Sequence, residues 1–218
     1  MLTPYLIGRS DANRTADRTA SACQSEGWLT MEAWVQRALA KWPNVPHVYG
    51  WIRLDRRGRW YLKGQQVERP KLIDMMRLNY APDERGAWYF QNGPQRGYVE
   101  LEYTPLIARS TPDGGLELHT GEQVDSIASA HLDADGSVVL QTGQGAAVLD
   151  GADLTWFLDR VAVSESMDLD TALAAALELP SGAQTPLQLM WHGQERPVVR
   201  CDHGHLPDAL GFQRHPQE

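Results

Sequence analysis

The stretch Leu54-Asp55-Arg56-Arg57-Gly58-Arg59-Trp60-Tyr61-Leu62 predicts a strand, a tight turn at Asp and Gly, and a second strand. A similar stretch, Leu132-Asp133-Ala134-Asp135-Gly136-Ser137-Val138-Val139-Leu140, follows 78 residues later. The leading Leu-Asp pair, the central Gly and the closing Leu coincide in the two. Either the chain contains a duplicated motif, or two hairpins with Asp–Gly turns are alike by chance.

Each hairpin is followed by apolar residues at helical spacing, over 70–80 after the first and over 153–161 after the second. Similar spacing predicts helices at 31–42 and 170–179, and a final hairpin pairs 186–191 with 196–200. We therefore predict an α+β fold. It consists of two similar small sheet-plus-helix motifs packed together, with an N-terminal helix and a C-terminal appendage.

The same patterns divide the chain into four parts. Residues 1–27 have no apolar periodicity and are expected to be a disordered tail. Residues 28–110 hold the first α+β motif with the N-terminal helix, and 111–163 hold the second. Residues 164–218 form the C-terminal appendage of a helix and a hairpin.

Composition excludes several classes of protein. The 218 residues are 42% hydrophobic and 22% charged, which is typical of a globular domain. The sequence contains no apolar run long enough to cross a membrane and no apolar secretory signal at its N-terminus. Two cysteines, Cys23 and Cys201, define no disulfide framework. We expect a cytoplasmic protein that neither enters a membrane nor needs a cofactor.

Charge is distributed unevenly along the chain. The formal net charge of −8 disfavours binding to nucleic acid. Residues 51–100 nevertheless carry ten Lys or Arg against six Asp or Glu, whereas 101–190 carry two against fourteen. Either both segments are solvated surfaces, or the basic segment faces an anionic ligand or partner.

The segment 48–162 resembles an uncharacterised bacterial family of unknown function. The resemblance rests on Asp55, Gly58, Trp60 and Gly64, on the following Arg69-Pro70 and Leu72, and on later blocks at 89–105 and 118–124. It implies a small α+β unit built from two similar structural motifs, with a suspected role in signalling. It supplies no catalytic residues.

Polar side chains crowd one turn between aromatic residues, and they form the candidate ligand site. These are Gln91, Asn92, Gln95 and Arg96, with Arg77 and Arg53 as further positive charges. Such a cluster can bind an anionic group above an apolar floor. Alternatively, the amide side chains only bind the backbone of their own turn.

The sequence Cys201-Asp202-His203-Gly204-His205 is the candidate for metal chemistry. Thiolate and imidazole suit zinc, although the spacing matches no standard zinc motif. Two functions therefore remain open. The first is a non-catalytic module in signalling that binds a small anionic ligand or a protein partner, with homo-oligomerisation undecided. The second is a metal-assisted hydrolase that uses Cys201, His203 and His205.

Overall fold

A computed structural model describes residues 46–163 and 167–218, which belong to one compact unit. The predicted tail at 1–27 and the predicted helix at 31–42 lie outside the described residues.

The first motif is a six-stranded sheet with one helix. Its strands are β1 (His47–Leu54), β2 (Trp60–Leu62), β3 (Gln65–Gln66), β4 (Tyr80–Pro82), β5 (Trp88–Asn92) and β6 (Gln95–Leu101). Helix α1 (Pro70–Leu78) lies between β3 and β4 in sequence. It begins at Pro70 because the ring of proline suits the first helical turn, where its missing N–H is not needed.

The second sheet has eight strands. They are β7 (Leu106–Ser110), β8 (Leu116–Leu118), β9 (Ile127–Leu132), β10 (Val138–Thr142), β11 (Gly145–Leu149), β12 (Val161–Val163), β13 (Gln184–Trp191) and β14 (Gln194–Arg200). Its chain segment also contains a 3₁₀ turn (Gly151–Asp153) and the helices α2 (Leu154–Leu158), α3 (Leu169–Glu178) and α4 (Leu206–Leu210).

The two sheets repeat one topology. The first has the order β3-β2-β1-β6-β5-β4, and six strands of the second have the order β11-β10-β9-β14-β13-β12, with β7 and β8 added beside β11. In both sheets, the first and last of these six strands along the chain pair in parallel at the centre. Strand β1 pairs with β6, with Leu54 opposite Leu101, and β9 pairs with β14, with Leu132 opposite Arg200. The predicted α+β fold of two similar motifs is confirmed.

The C-terminal hairpin lies inside the second sheet rather than beside it. Strand β14 pairs with β9, and β13 pairs with β14 and with β12. Residues 184–200 therefore complete the second motif, although the sequence suggests an appendage. The physical reason is that the backbone groups of β9 on the side away from β10 need hydrogen-bond partners, and the strand that supplies them, β14, is distant in sequence.

The core lies on the inner faces of the sheets, as the alternation of apolar residues predicts. Trp60 is 1% exposed and packs edge-on against Tyr80, with ring centroids 5.0 Å apart. Ile52, Leu54 and Leu101 are also buried. Within the described residues, no helix has the length and apolar character needed to cross a membrane.

Candidate functional site

The two Asp–Gly turns, residues 55–59 and 133–137, have the same internal hydrogen bonds. Oδ1 of Asp55 accepts from the backbone N–H groups of Arg57 at 2.9 Å and Arg59 at 2.8 Å. Oδ1 of Asp133 accepts from the corresponding N–H groups two and four residues further on, also at 2.9 and 2.8 Å. A short side chain with an acceptor oxygen suits this position, because it reaches the backbone N–H groups of its own turn.

The turns contact each other through Arg56 of the first. Its Nη2 donates to the hydroxyl of Ser137 in the second turn at 2.9 Å. Its guanidinium also lies 5.0 Å from the ring centroid of Tyr103. Arg56 and Ser137 are 81 positions apart in sequence and belong to different motifs. Their hydrogen bond therefore links the two motifs.

Tyr103 is a buried anchor beneath this contact. Its hydroxyl donates to Oδ2 of Asp133 at 2.6 Å, and its ring stacks on His203 with centroids 4.9 Å apart. Burial, followed by the hydrogen bond to Asp133, raises the pKa of Tyr103 far above its ordinary value. The phenol therefore remains a protonated donor and is not a base.

A cleft of about 820 Å³ opens beside the two turns. Its walls come from the first turn, from the second turn, from the end of β7, and from the segment that joins β11 to α2. The lining residues are Arg56, Arg57, Arg59, Arg109, Asp135, Gly136, Ser137, Val148, Leu149, Asp150, Gly151, Ala152 and Leu154. Four arginines thus line one cavity.

Acidic partners neutralise two of these four arginines. Arg59 pairs with the buried Asp55 at 2.6 Å, and Arg109 pairs with Asp150 at 3.2 Å. Burial alone would raise the pKa of Asp55, but the backbone N–H and the guanidinium of Arg59 outweigh it and lower that pKa below its ordinary value. Asp55 therefore remains ionised and holds Arg59 at the cleft.

The other two arginines, Arg56 and Arg57, form no ion pair with an acidic side chain among residues 46–163 and 167–218. Arg56 makes its hydrogen bond to a neutral hydroxyl. The exposed side chain of Arg57 has no hydrogen bond or ion pair to any residue that the structure describes, and its backbone carbonyl accepts from Nη2 of Arg109 at 2.7 Å. Their charge is therefore available to an anion that enters the cleft.

The polar turn predicted as the ligand site is the β5–β6 hairpin. Nε2 of Gln91 donates to the carbonyls of Gly93 at 2.6 Å and Gln95 at 3.2 Å, so this amide holds the backbone of its own turn. Asn92 pairs with Gln95 in the hairpin register. The guanidinium of Arg96 lies 4.5 Å from the ring centroid of Tyr89.

The two further arginines predicted for that site lie elsewhere. Arg53 in β1 pairs with Glu102 at 3.1 Å, and its guanidinium lies 3.9 Å from the ring centroid of Tyr61. Arg77 in α1 pairs with Asp74 at 3.3 Å. None of the six predicted residues lines the cleft, and their role in binding stays a prediction.

The C-terminal cysteine and histidines have separate partners. Cys201 is buried, His203 stacks on Tyr103, and Nδ1 of His205 lies 2.8 Å from the hydroxyl of Ser181. Across residues 46–163 and 167–218, no group of three His, Cys, Asp or Glu side chains is placed to hold a metal ion. Metal-assisted hydrolysis through these residues has no support in the described part of the chain.

The sequence pattern does not indicate the four arginines of the cleft, because Arg56 and Arg57 lie in a predicted tight turn, where exposed charged residues are common. Three arginines within four residues, at 56, 57 and 59, were the available signal. No local pattern connects them to Arg109 or Leu154, which reach the cleft only through the pairing of β7 with β11.

Comparison with known proteins gives a matching family and two solved structures with weak similarity to this chain. No curated protein matches the sequence significantly. A crystal structure of a DUF1285 family protein from Silicibacter pomeroyi DSS-3 is 14% identical, covers 78% of this chain and 96% of its own, and has a TM-score of 0.49. A second, from Shewanella baltica OS155, is 15% identical, covers 50% of this chain and 91% of its own, and has a TM-score of 0.40.

The family profile DUF2944, described as "Protein of unknown function (DUF2946)", matches residues 31–217. This match includes both motifs and the whole described part of the chain except its last residue. The resemblance to an uncharacterised family is therefore confirmed, and the chain belongs to this family of unknown function.

Proposed function

We propose that this protein is a non-catalytic module that binds a small anionic ligand in the cleft between its two Asp–Gly turns. The observation that carries the proposal is that four arginines line one cavity, and that two of them form no ion pair with an acidic side chain in the part of the chain that the structure describes. A planar guanidinium offers several N–H donors in a geometry that matches carboxylate and phosphate oxygens.

The position of the cleft supports a role in signalling as part of the same proposal. The cleft is lined by both motifs, and Arg56 and Arg109 each bond across it, to Ser137 and to the backbone of Arg57. A ligand that competes for either guanidinium changes a contact between the motifs. Such a change is a signal that a partner protein can detect.

The test is a titration with sodium pyrophosphate, with the melting temperature as the readout and ionic strength matched by sodium chloride. A ligand that binds only the folded state raises the melting temperature. We expect pyrophosphate to stabilise the wild type, Arg57→Ala to lose most of that effect, and Arg57→Lys to keep part of it.

The matched control is Arg85→Ala. Arg85 is an exposed arginine, as Arg57 is, but it does not line the cleft. This variant should respond to pyrophosphate like the wild type. An unresponsive wild type, or an equal response in Arg57→Ala, would overturn the proposal.

A further inference from the structure

We infer that the ligand is a phosphate monoester whose alcohol part carries further hydroxyl groups, as in sugar phosphates and nucleotides. This inference rests on the proposed function and specifies the class of ligand. The cleft is lined by the two turns and by the segment that joins β11 to α2, here called the α2 segment. These three parts carry chemically different side chains, and the inference follows from that difference.

The first turn supplies the phosphate side. Arg56 and Arg57 carry two positive charges and form no ion pair with an acidic side chain of the described residues, which suits the two negative charges of a phosphate monoester better than the single charge of a carboxylate. Arg59 and Arg109 lie at the same cavity, but Asp55 and Asp150 already neutralise them.

The second turn favours a hydrogen-bond donor on the ligand rather than an anionic group. The exposed carboxylate of Asp135 lines the cleft and has no hydrogen bond or ion pair from any side chain in the described residues. Ser137, whose hydroxyl accepts from Arg56, lines the same cleft. A bare anion gains nothing from Asp135 and is repelled by it, whereas a ligand hydroxyl can donate to its carboxylate. The ligand must therefore bring a donor as well as an anion.

The volume of the cleft and the residues of its α2 segment fit a ligand larger than inorganic phosphate. The cleft measures about 820 Å³, and the α2 segment adds the exposed Ala152 and the half-buried Leu154. Clefts of this volume typically hold a whole small molecule with an apolar part. The anion is therefore one end of the ligand, and the hydroxyl-bearing part extends along the second turn.

Calorimetric titration of the full chain with four probes tests this inference. The probes are inorganic phosphate, phenyl phosphate, ribose 5-phosphate and adenosine 5′-monophosphate. We expect the two hydroxylated esters to bind at least about tenfold more tightly than phenyl phosphate, since a hydrogen bond to a charged group is worth roughly that factor. A tighter complex with the nucleotide than with ribose 5-phosphate would identify a nucleotide as the source.

Two variants separate the contribution of Asp135 in the cleft from that of an exposed aspartate outside it. Asp135→Ala should weaken the hydroxylated esters about tenfold and leave phenyl phosphate unchanged or slightly tighter, because it removes an acceptor and a like charge together. Asp125→Ala is the control, because Asp125 is exposed and lies outside the cleft. It should leave all four affinities unchanged.

The outcomes distinguish this inference from the proposed function. If all four phosphates bind equally, or if Asp135→Ala weakens them all alike, the inference is wrong while anion binding at Arg57 stands. If none of the four binds the wild type and pyrophosphate does not stabilise it, both are wrong.

Discussion

Asp55 and Asp133 occupy the same place in two turns that are 78 residues apart, and each accepts the backbone N–H groups two and four residues ahead of it. Both residues are 3% exposed. The glycines that follow, Gly58 and Gly136, have φ angles of +79° and +78°, which glycine adopts without strain. The duplication therefore extends from the sheet topology down to single hydrogen bonds.

Replacing either aspartate should destabilise the fold by a similar amount. Asp55→Ala and Asp133→Ala each leave two backbone donors without their acceptor, and we expect each to lower the free energy of unfolding by about 2 kcal/mol or more. Urea unfolding measures this. Asp125→Ala, at an exposed position, should stay within about 0.5 kcal/mol of the wild type. A similarly small effect at Asp133 would contradict the structural role of its turn.

Asp55 should also contribute to stability in a pH-dependent way. Its pKa is lower in the folded protein than in the unfolded chain, because the hydrogen bonds from Arg59 and Arg57 outweigh the effect of burial. The stabilisation is therefore present above about pH 4, the ordinary value, and is lost as pH falls through the lower folded pKa. Asp55→Asn should reduce the loss of stability below pH 4, as measured by urea unfolding at pH 4 and pH 2.5.

Trp60 should be among the most sensitive core positions. Its side chain is 1% exposed and contacts Tyr80, so Trp60→Ala removes a large buried volume. We expect the free energy of unfolding to fall by about 3–5 kcal/mol. Trp60→Phe keeps an aromatic ring and should cost less. Equal stability of the alanine variant and the wild type would show that this face of the sheet does not pack as described.

Two glycines with nearly equal backbone angles should differ sharply in how much stability is lost when each is replaced by alanine. Gly86 and Gly64 have φ angles of +77° and +78°, so alanine is strained at both by about 1–2 kcal/mol. A Cβ at Gly86 would also overlap the carbonyl oxygen of Gly211, whereas a Cβ at Gly64 has nothing within 4 Å. Gly86→Ala should therefore cost at least about 1 kcal/mol more than Gly64→Ala in thermal or urea unfolding. Equal costs would show that the segment at Gly211 does not lie against this turn.

His119 should make the fold less stable in mild acid. Burial, with smaller effects from Arg109 and Arg77, lowers its pKa from 6.5 to about 3. The unfolded chain binds a proton below about pH 6.5 and the folded protein only near pH 3, so stability falls as pH decreases between these values. This amounts to about 2 kcal/mol between pH 7 and pH 5.

The variant His119→Asn tests this, because its side-chain oxygen can still accept the N–H of Ile107 as Nδ1 of His119 does at 3.3 Å. Its free energy of unfolding should change less between pH 7 and pH 5 than that of the wild type. Part of the change should persist, because burial also lowers the pKa values of His131 and His203. An unchanged pH dependence would show that His119 is not the titrating group.

The sequence by itself determined the local structure. The Asp–Gly turns, the strands on either side of them and helix α1 follow from side-chain alternation, turn residues and Pro70, all of which act over a few residues. The burial of Trp60 follows from the same alternation. Strand β11 (Gly145–Leu149) was missed, because its small residues show no alternation.

Only the tertiary structure decided which strands are neighbours and where the cleft lies. The parallel pairs β1–β6 and β9–β14 join segments tens of residues apart, and no local pattern specifies such a partner. The same pairings place the C-terminal hairpin inside the second sheet. The parallel pairing of β7 with β11 brings Arg109 to the cavity that Arg57 and Asp135 also line, because the position of a side chain depends on the register of its strand as well as on its own neighbours in sequence.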